Sequence, residues 1–361
     1  MKTFTSLPEI REEIDRIDVE LLALLTARAQ CSLQVADLKK AADGDDVTFY
    51  RPEREAQILR RMAALNEGPL SDETVTRFYR EIISSSLALE EPMTVAYLGP
   101  EGTFTHAAAI KHFGSSVMLE PCESIDLIFR AVEVGDARFG VVPVENSTEG
   151  MINHTLDMLI TSDLLISGES RLRIEHNLLG NLDDFSQANS VHAHPQSLAQ
   201  CRNWLAANLP GAELVNASSN AAAAERVHGL DRAVAIASVA AAERYQLSVL
   251  QHNIEDVTNN TTRFFVVGKQ AVPPSGNDST SLLVSASHKP GGLRRMLTPF
   301  EDAGISLTRI ESRPSKNNLW EYYFLIDLDG HQEDPVLATI LKELASETHL
   351  MRVLGSYPSA L

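Results

Sequence analysis

Residues 7–40 carry an unbroken helical apolar repeat, and it constrains the chain more than any other stretch. Ile10, Ile14, Ile17, Leu21 and Leu24 recur at helical spacing, with Leu22, Leu25, Ala29 and Leu33 in a second stripe. Ser6 stands at the N-cap, with Pro8 and Glu9 just inside. At 1.5 Å per residue such a helix is about 50 Å long. Two shorter helices, over 50–66 and from a Ser71 cap to Glu90, follow an interruption at 42–46. They cannot cover both stripes, so residues 1–92 read as an all-helical domain that dimerises through its long helix.

Cations sit on this apolar face. Arg28 follows Ile10, and Lys39 follows Leu21, by five full turns, and Arg11 lies about a quarter turn away. Cations on a buried face need counter-charges. Internal salt bridges to Glu12, Asp15 or Glu55 would supply them. So would a substrate with two carboxylates, gripped by bidentate guanidinium groups.

Composition narrows the partners. A net charge of −18 argues against nucleic acid or anionic membrane. Cys31, Cys122 and Cys201 are far apart, with no metal-ligand spacing, and read as reduced thiols of a cytosolic protein. The N-terminus lacks the apolar core of a signal peptide, and no run reaches the ~18 apolar residues of a membrane span.

At Glu91-Pro92-Met93 the helical period stops and strands alternate with helices. Strands are predicted over 94–98, 139–144, 163–168, 189–193, 212–216 and 233–237. Helices are predicted over 106–113, 124–134, 151–161, 196–207, 219–228 and 238–244. This alternation over 93–268 implies an α/β domain with ligand sites at strand ends. Small polar groups cluster at two such ends: Glu145-Asn146-Ser147-Thr148-Glu149-Gly150 and Asn259-Asn260-Thr261-Thr262-Arg263-Phe264. His194 sits at another, where a surface or helix-cap role is the ordinary expectation. A Pro/Gly/Ser linker, 269–279, precedes a βαββαβ pattern over 280–361, the ferredoxin-like order.

The helical segment, with Arg11, Arg28, Lys39, Arg54-Glu55, Ser86 and Glu90, resembles the all-helical chorismate mutase family. The resemblance implies that Arg28, and Arg11 from the other subunit, hold the carboxylates of chorismate. Lys39 would contact the ether oxygen and a carboxylate, Glu55 would bind the ring hydroxyl, and Arg54 would support the site. Ser86 and Glu90, one turn apart, would line the same cavity. Two positions depart from the pattern. Glu90 stands where many members have Gln, and Arg51 falls where some have an acid, so only its backbone could serve there.

YLGPEGTFT (97–105), GVVPVENSTEG (140–150), HPQSLAQC (194–201) and NNTTRF (259–264) together resemble the prephenate dehydratase family. Its fold is a two-lobed α/β domain like periplasmic binding proteins. Thr262 would be the catalytic hydroxyl, with Asn146, Ser147 and Asn260 positioning substrate and Thr261 in support. Glu145 would orient its loop or touch substrate. Arg263 would pair with a substrate carboxylate, or with Glu145 or Glu149. HKPGGLRRML (288–297) and TRIESRP (308–314) resemble the ACT regulatory domain, which implies phenylalanine at Gly291, Gly292, Leu293, Glu311, Ser312 and Arg313. Family members more often read Gly-Ala-Leu at 291–293.

These resemblances imply two enzyme activities, no metal or organic cofactor, chorismate and prephenate as substrates, phenylalanine as effector, and a homodimer or higher homo-oligomer. The rivals are a sensor that has lost its activities and a dehydratase that prefers arogenate.

Overall fold

The computed structural model describes residues 4–43, 48–285, 290–314 and 322–360. Three helices open the chain: α1 (Leu7–Asp43), α2 (Pro52–Ala64) and α3 (Asp72–Glu90). Ser71 caps α3 by accepting the Thr74 N–H at 3.2 Å. α1 packs against α3, yet much of its apolar surface is uncovered: Leu22 and Leu24 are 66% and 69% exposed.

Elements then alternate: β1 (Thr94–Leu98), α4 (Phe104–Phe113), β2 (Met118–Cys122), α5 (Ile125–Val134), β3 (Phe139–Asn146), β4 (Gly150–Met151), α6 (Asn153–Thr161), β5 (Leu165–Arg173) and β6 (Asn177–Gly180). Next come β7 (Ser190–Ala193), α7 (Pro195–Gln200), α8 (Arg202–Asn208), β8 (Glu213–Asn216), α9 (Asn220–Val227), β9 (Ala233–Ala237), α10 (Val239–Arg244), β10 (Ser248–Gln251) and β11 (Thr261–Gly268). The last are β12 (Asp278–Ser285), α11 (Gly292–Asp302), β13 (Leu307–Pro314), β14 (Tyr322–Asp329), α12 (Pro335–Glu347) and β15 (Leu350–Pro358), the expected βαββαβ order.

Two compact units result, one built on α1, α3 and the later part of α2, the other holding all three sheets. In the second unit, β2-β1-β3-β11-β5, with β4 on β3, forms the first lobe, and β10-β6-β9-β7-β8 forms the second. The chain crosses between lobes at 174–176 and 252–260.

The structure departs from expectation in three ways. β2, β6 and β10 are short strands with no clear alternation, and Pro121 sits on the edge strand β2, where a missing N–H costs no ladder bond. The helix expected over 196–207 breaks at Cys201. The linker is pinned: the buried His331 donates from Nε2 to the Val272 carbonyl at 2.8 Å, and Ser275 bonds Asp278 at 2.6 Å.

The C-terminal sheet, β13-β14-β12-β15, is covered on both faces. Leu282, Val284, Ile326 and Leu328 pack with Met296, Phe300 and Leu337 of α11 and α12. Leu283, Leu325 and Tyr357 join Phe129, Ile166 and Phe265 in a core shared with the first lobe. Backbones meet closely there, since a Cβ on Gly355 would collide with the Ile166 carbonyl.

Candidate active sites

β11 lies between β3 and β5, antiparallel to both. Its register sets Thr262 opposite Asn146 and Arg263 opposite Glu145. Neighbouring residues of a strand face opposite ways, so one pair looks into the cleft between lobes and the other into the C-terminal sheet.

The cleft holds a cavity of about 250 Å³. Leu98, Phe104, Pro143, Ile152, Ile174 and Phe264 give it an apolar wall, and among the described residues no Lys, Arg, Asp or Glu lines it. Its polar groups come from Asn146, Thr262, His176, Gln200 and the starts of α4, α7, α9 and α10, including Thr103, His194, Ser219 and Ser238. Helix starts carry unpaired N–H groups and a partial positive charge, so this lining suits an anion despite its lack of cations. His194 combines two roles: it lines the cavity and caps α7, its Nδ1 accepting from the Gln196 N–H at 3.3 Å.

The Asn146 side chain has a fixed sense. Its Oδ1 accepts from the Thr148 N–H at 3.0 Å, so its Nδ2 faces Thr262 and donates to Oγ1 at 2.9 Å. The Thr262 hydroxyl oxygen accepts there, which leaves its own proton for the cleft.

The remaining expected residues divide. Ser147 and Asn260 stand behind this pair, with Ser147 Oγ donating to Asn260 Oδ1 at 3.3 Å. Thr261 gives Ser147 its backbone N–H at 2.9 Å. Glu145 pairs with Arg309 of β13. Arg263 corrects the expectation: it reaches neither the cleft nor Glu145 and Glu149. It is buried against Glu169 at 2.6 Å, Asp327 and the Tyr357 hydroxyl at 3.1 Å, with the Phe265 ring at 4.6 Å. Burial alone would lower its pKa, but the flanking acids hold the charge.

Three residues given no role from sequence join the site. Gln200 and Thr148 lie inside segments already singled out, whereas His176, alone between two strands, had no distinguishing signal. The Thr148 hydroxyl donates to Asn146 Oδ1 at 2.5 Å and accepts from Gln200 Nε2 at 3.2 Å, and Gln200 Oε1 meets His176 Nε2 at 2.7 Å.

In the helical unit, Arg28 bonds Ser86 Oγ at 2.5 Å and the Ile82 carbonyl at 3.4 Å. Lys39 bonds the Thr48 and Phe49 carbonyls, each at 3.3 Å. Among the described residues, neither cation has the internal salt bridge that would neutralise it. Glu90 is close enough to feel both: burial pushes its pKa up, while Lys39, a bond from Ser32 and Arg28 pull it down. Arg11 is exposed on α1, about 26 Å along the axis from Arg28. Outside that unit, in the first turns of α2, Glu55 is buried and Arg54 is exposed; Arg51 is the extended N-cap residue of that helix.

The expected effector residues are only partly together. Gly291, at φ +77°, precedes Gly292 and Leu293 at the start of α11. Glu311 and Arg313 share one face of β13, and Ser312 takes the other. Arg313 is committed to α6, bonding Asp157 at 2.6 Å and Asn153, so it is not free for an effector. His288 and Lys289 lie outside the described residues. No group of three His, Cys, Asp or Glu among the described residues is placed to hold a metal ion, and no described helix is long and apolar enough to cross a membrane.

Comparison with known proteins matches each region. The model for chorismate mutase type II covers residues 10–91, that for prephenate dehydratase 95–272, and that for the ACT domain 280–346. A bifunctional chorismate mutase/prephenate dehydratase of Pseudomonas aeruginosa is 50% identical over 358 residues, covering 98% of both chains. A solved prephenate dehydratase of Arthrobacter aurescens, in complex with L-Phe, is 35% identical with a TM-score of 0.67, covering 73% of this chain and 90% of its own. A solved quorum-quenching acylase is 32% identical with a TM-score of 0.68, covering 74% and 98%. With three domain families in this order and a relative matched along its whole length, the chain belongs to the bifunctional chorismate mutase/prephenate dehydratase family.

Proposed function

We propose that the protein rearranges chorismate to prephenate in its helical domain and converts prephenate to phenylpyruvate in the cleft. The observation that carries the second step is the Asn146–Thr262 hydrogen bond at 2.9 Å, which turns the threonine proton toward the cavity. When prephenate aromatises, the bond from the ring to its carboxylate breaks and carbon dioxide leaves. That electron pair enters the ring, and the C–O bond to the ring hydroxyl breaks. The departing oxygen carries negative charge until it takes a proton and becomes water. A Thr hydroxyl is too weak an acid to transfer that proton alone, but its hydrogen bond stabilises the charge as it builds. The helix starts hold the substrate carboxylates, and the apolar wall holds the ring.

In the mutase, Arg28 and Lys39 bind the two carboxylates and ether oxygen, Ser86 and Glu90 line the site, and Glu55 takes the ring hydroxyl, supported by Arg54. Arg11 comes from a second copy of the chain, whose α1 covers the exposed stripe of the first. The reaction is unimolecular, so the site acts by holding the reactive conformer and stabilising charge on the ether oxygen. Phenylalanine binds the C-terminal domain around Gly291–Leu293 and β13 and inhibits the dehydratase.

Replacing Thr262 with Ala tests the central assignment. We expect dehydratase activity to fall at least about 100-fold with mutase activity kept; a variant that still dehydrates at the wild-type rate removes Thr262 from the mechanism. Competition between prephenate and arogenate in the same assay fixes the preferred substrate.

A further inference from the structure

Apart from Asn146 and Thr262, the chain of hydrogen bonds that ends at Gln200 and His176 in the cavity wall has no assigned part in the reaction, and its direction can be read bond by bond. Asn146 Oδ1 is occupied by the Thr148 N–H and hydroxyl, at 3.0 and 2.5 Å. Having given its proton to Asn146, the Thr148 hydroxyl accepts from Gln200 Nε2 at 3.2 Å. That turns Gln200 Oε1 toward His176 Nε2 at 2.7 Å, where it also receives Asn260 Nδ2 at 3.3 Å. A carbonyl oxygen only accepts, so His176 carries its proton on Nε2.

The histidine is well placed to hold this order. It is 1% exposed and sits on a connection between the lobes. Its backbone N–H donates to Glu255 Oε2 at 2.9 Å, and its carbonyl accepts from the Ile254 N–H at 2.8 Å, both on the other connection. Phe104 meets the ring edge-on at 5.8 Å. Nδ1 has no hydrogen-bond partner among the described residues, so Gln200 is the ring's one hydrogen-bonding commitment. Burial lowers the ring's pKa, opposed by Gln200 and Glu255, which favours the neutral form the network requires. The bonds run from Thr262, Asn146 and Thr148 in the first lobe to Gln200 in the second, so the aim of the hydroxyl depends on both lobes.

We infer that His176 is a positioning residue for the dehydratase reaction: by donating from Nε2 to Gln200 it holds the Thr148 hydroxyl on Asn146 Oδ1 rather than on Asn260, which together with the Thr148 N–H fixes the direction in which Thr262 presents its proton. The inference deepens the assignment of Thr262 and rests on it. The histidine also lines the cavity, but the inferred role runs through Gln200, so its loss degrades turnover more than binding.

The test uses the full-length protein and measures both activities in His176→Asn, His176→Gln, Thr148→Val and the His176→Asn/Thr148→Val double variant. Asn is too short to reach Gln200, whereas Gln can set its amide nitrogen near the position of Nε2. His176→Asn should lower dehydratase kcat about tenfold with KM within about twofold, and mutase turnover should not change. His176→Gln should restore most of the loss. Thr148 is exposed, so Thr148→Val tests the middle of the chain without disturbing the core. It should match His176→Asn, and the double variant should be no worse than either single one, because both cut the same chain. Wild-type kcat in Thr148→Val, a loss confined to KM, equal losses in His176→Asn and His176→Gln, or multiplied losses in the double variant would each overturn the inference. If His176→Asn does not fold, Thr148→Val decides. Full dehydratase activity in Thr262→Ala would instead remove the assignment on which the inference stands.

Discussion

In the proposed mutase site, Glu90 is the single position expected to set a pH profile. A carboxylate cannot donate a hydrogen bond to the ether oxygen of chorismate, but a carboxylic acid can. Burial raises the Glu90 pKa above its ordinary 4.5, and Lys39, Ser32 and Arg28 only oppose that rise. The donating form therefore persists above the usual carboxylate range and disappears as pH climbs through the shifted value. We expect mutase kcat/KM to fall across that window in the wild type and to stay flat in Glu90→Gln, whose amide donates at every pH. Identical profiles would remove Glu90 as the donor. This environment was partly legible in the sequence, because Arg28, Lys39 and Glu90 fall on mutually consistent helical faces. Arg263 was not. Its partners Glu169 and Asp327 come from distant segments, and no local pattern announces which strands will lie side by side.

At the scale of elements, α1 carries two of the proposed mutase cations far apart on one rod. Arg28 is near Ser86 and Glu90, whereas Arg11 is about 26 Å away along the same axis. A straight helix cannot fold back, so one chain cannot bring both cations to one substrate. If the second cation comes from a partner, Arg11→Ala and Arg28→Ala should each abolish mutase activity alone but complement when unfolded together and refolded. Random pairing should restore about one site in four. No recovery over either parent would show that the two cations do not meet in a shared site. The long amphipathic helix was plain from its period, and so was the strand–helix alternation after residue 93. The strands that escaped notice are four or five residues long: β2 and β10 lie at sheet edges, where burial imposes little alternation, and β6 is buried throughout and so shows none. The break at Cys201 escaped too, because no Gly or Pro marks it.

For the whole molecule, the C-terminal sheet matters as a wall of the dehydratase and not as a tethered appendix. It shares a core with the first lobe and supplies Arg309 to Glu145 and Asp327 to Arg263. Those two partners are the immediate neighbours of Asn146 and Thr262. An effector that shifts this sheet therefore acts on strands that carry the proposed catalytic pair. If phenylalanine inhibits by weakening substrate binding, linkage requires that substrate weaken phenylalanine by the same factor. Calorimetric titration of phenylalanine with and without a substrate analogue in the cleft should show that loss of affinity. Equal affinities would restrict inhibition to the turnover step. The sequence order of the three domains was readable from motifs, but the continuity of the core across 269–279 was not, since a Pro/Gly/Ser stretch looks the same whether loose or pinned.

The alternation along β11 bears on which changes of chain length the protein can survive. Thr262 serves the cleft and Arg263 serves the sheet behind it, and they are adjacent. One residue added or lost in the lead-in over 252–260 could slide the strand by a single step. That would turn a buried guanidinium into the cavity and press a threonine against Asp327 and Glu169. The lead-in is therefore a spacer of fixed length, so outside Ile254, Glu255 and Asn260 substitutions there should accumulate in descendants far more readily than insertions or deletions.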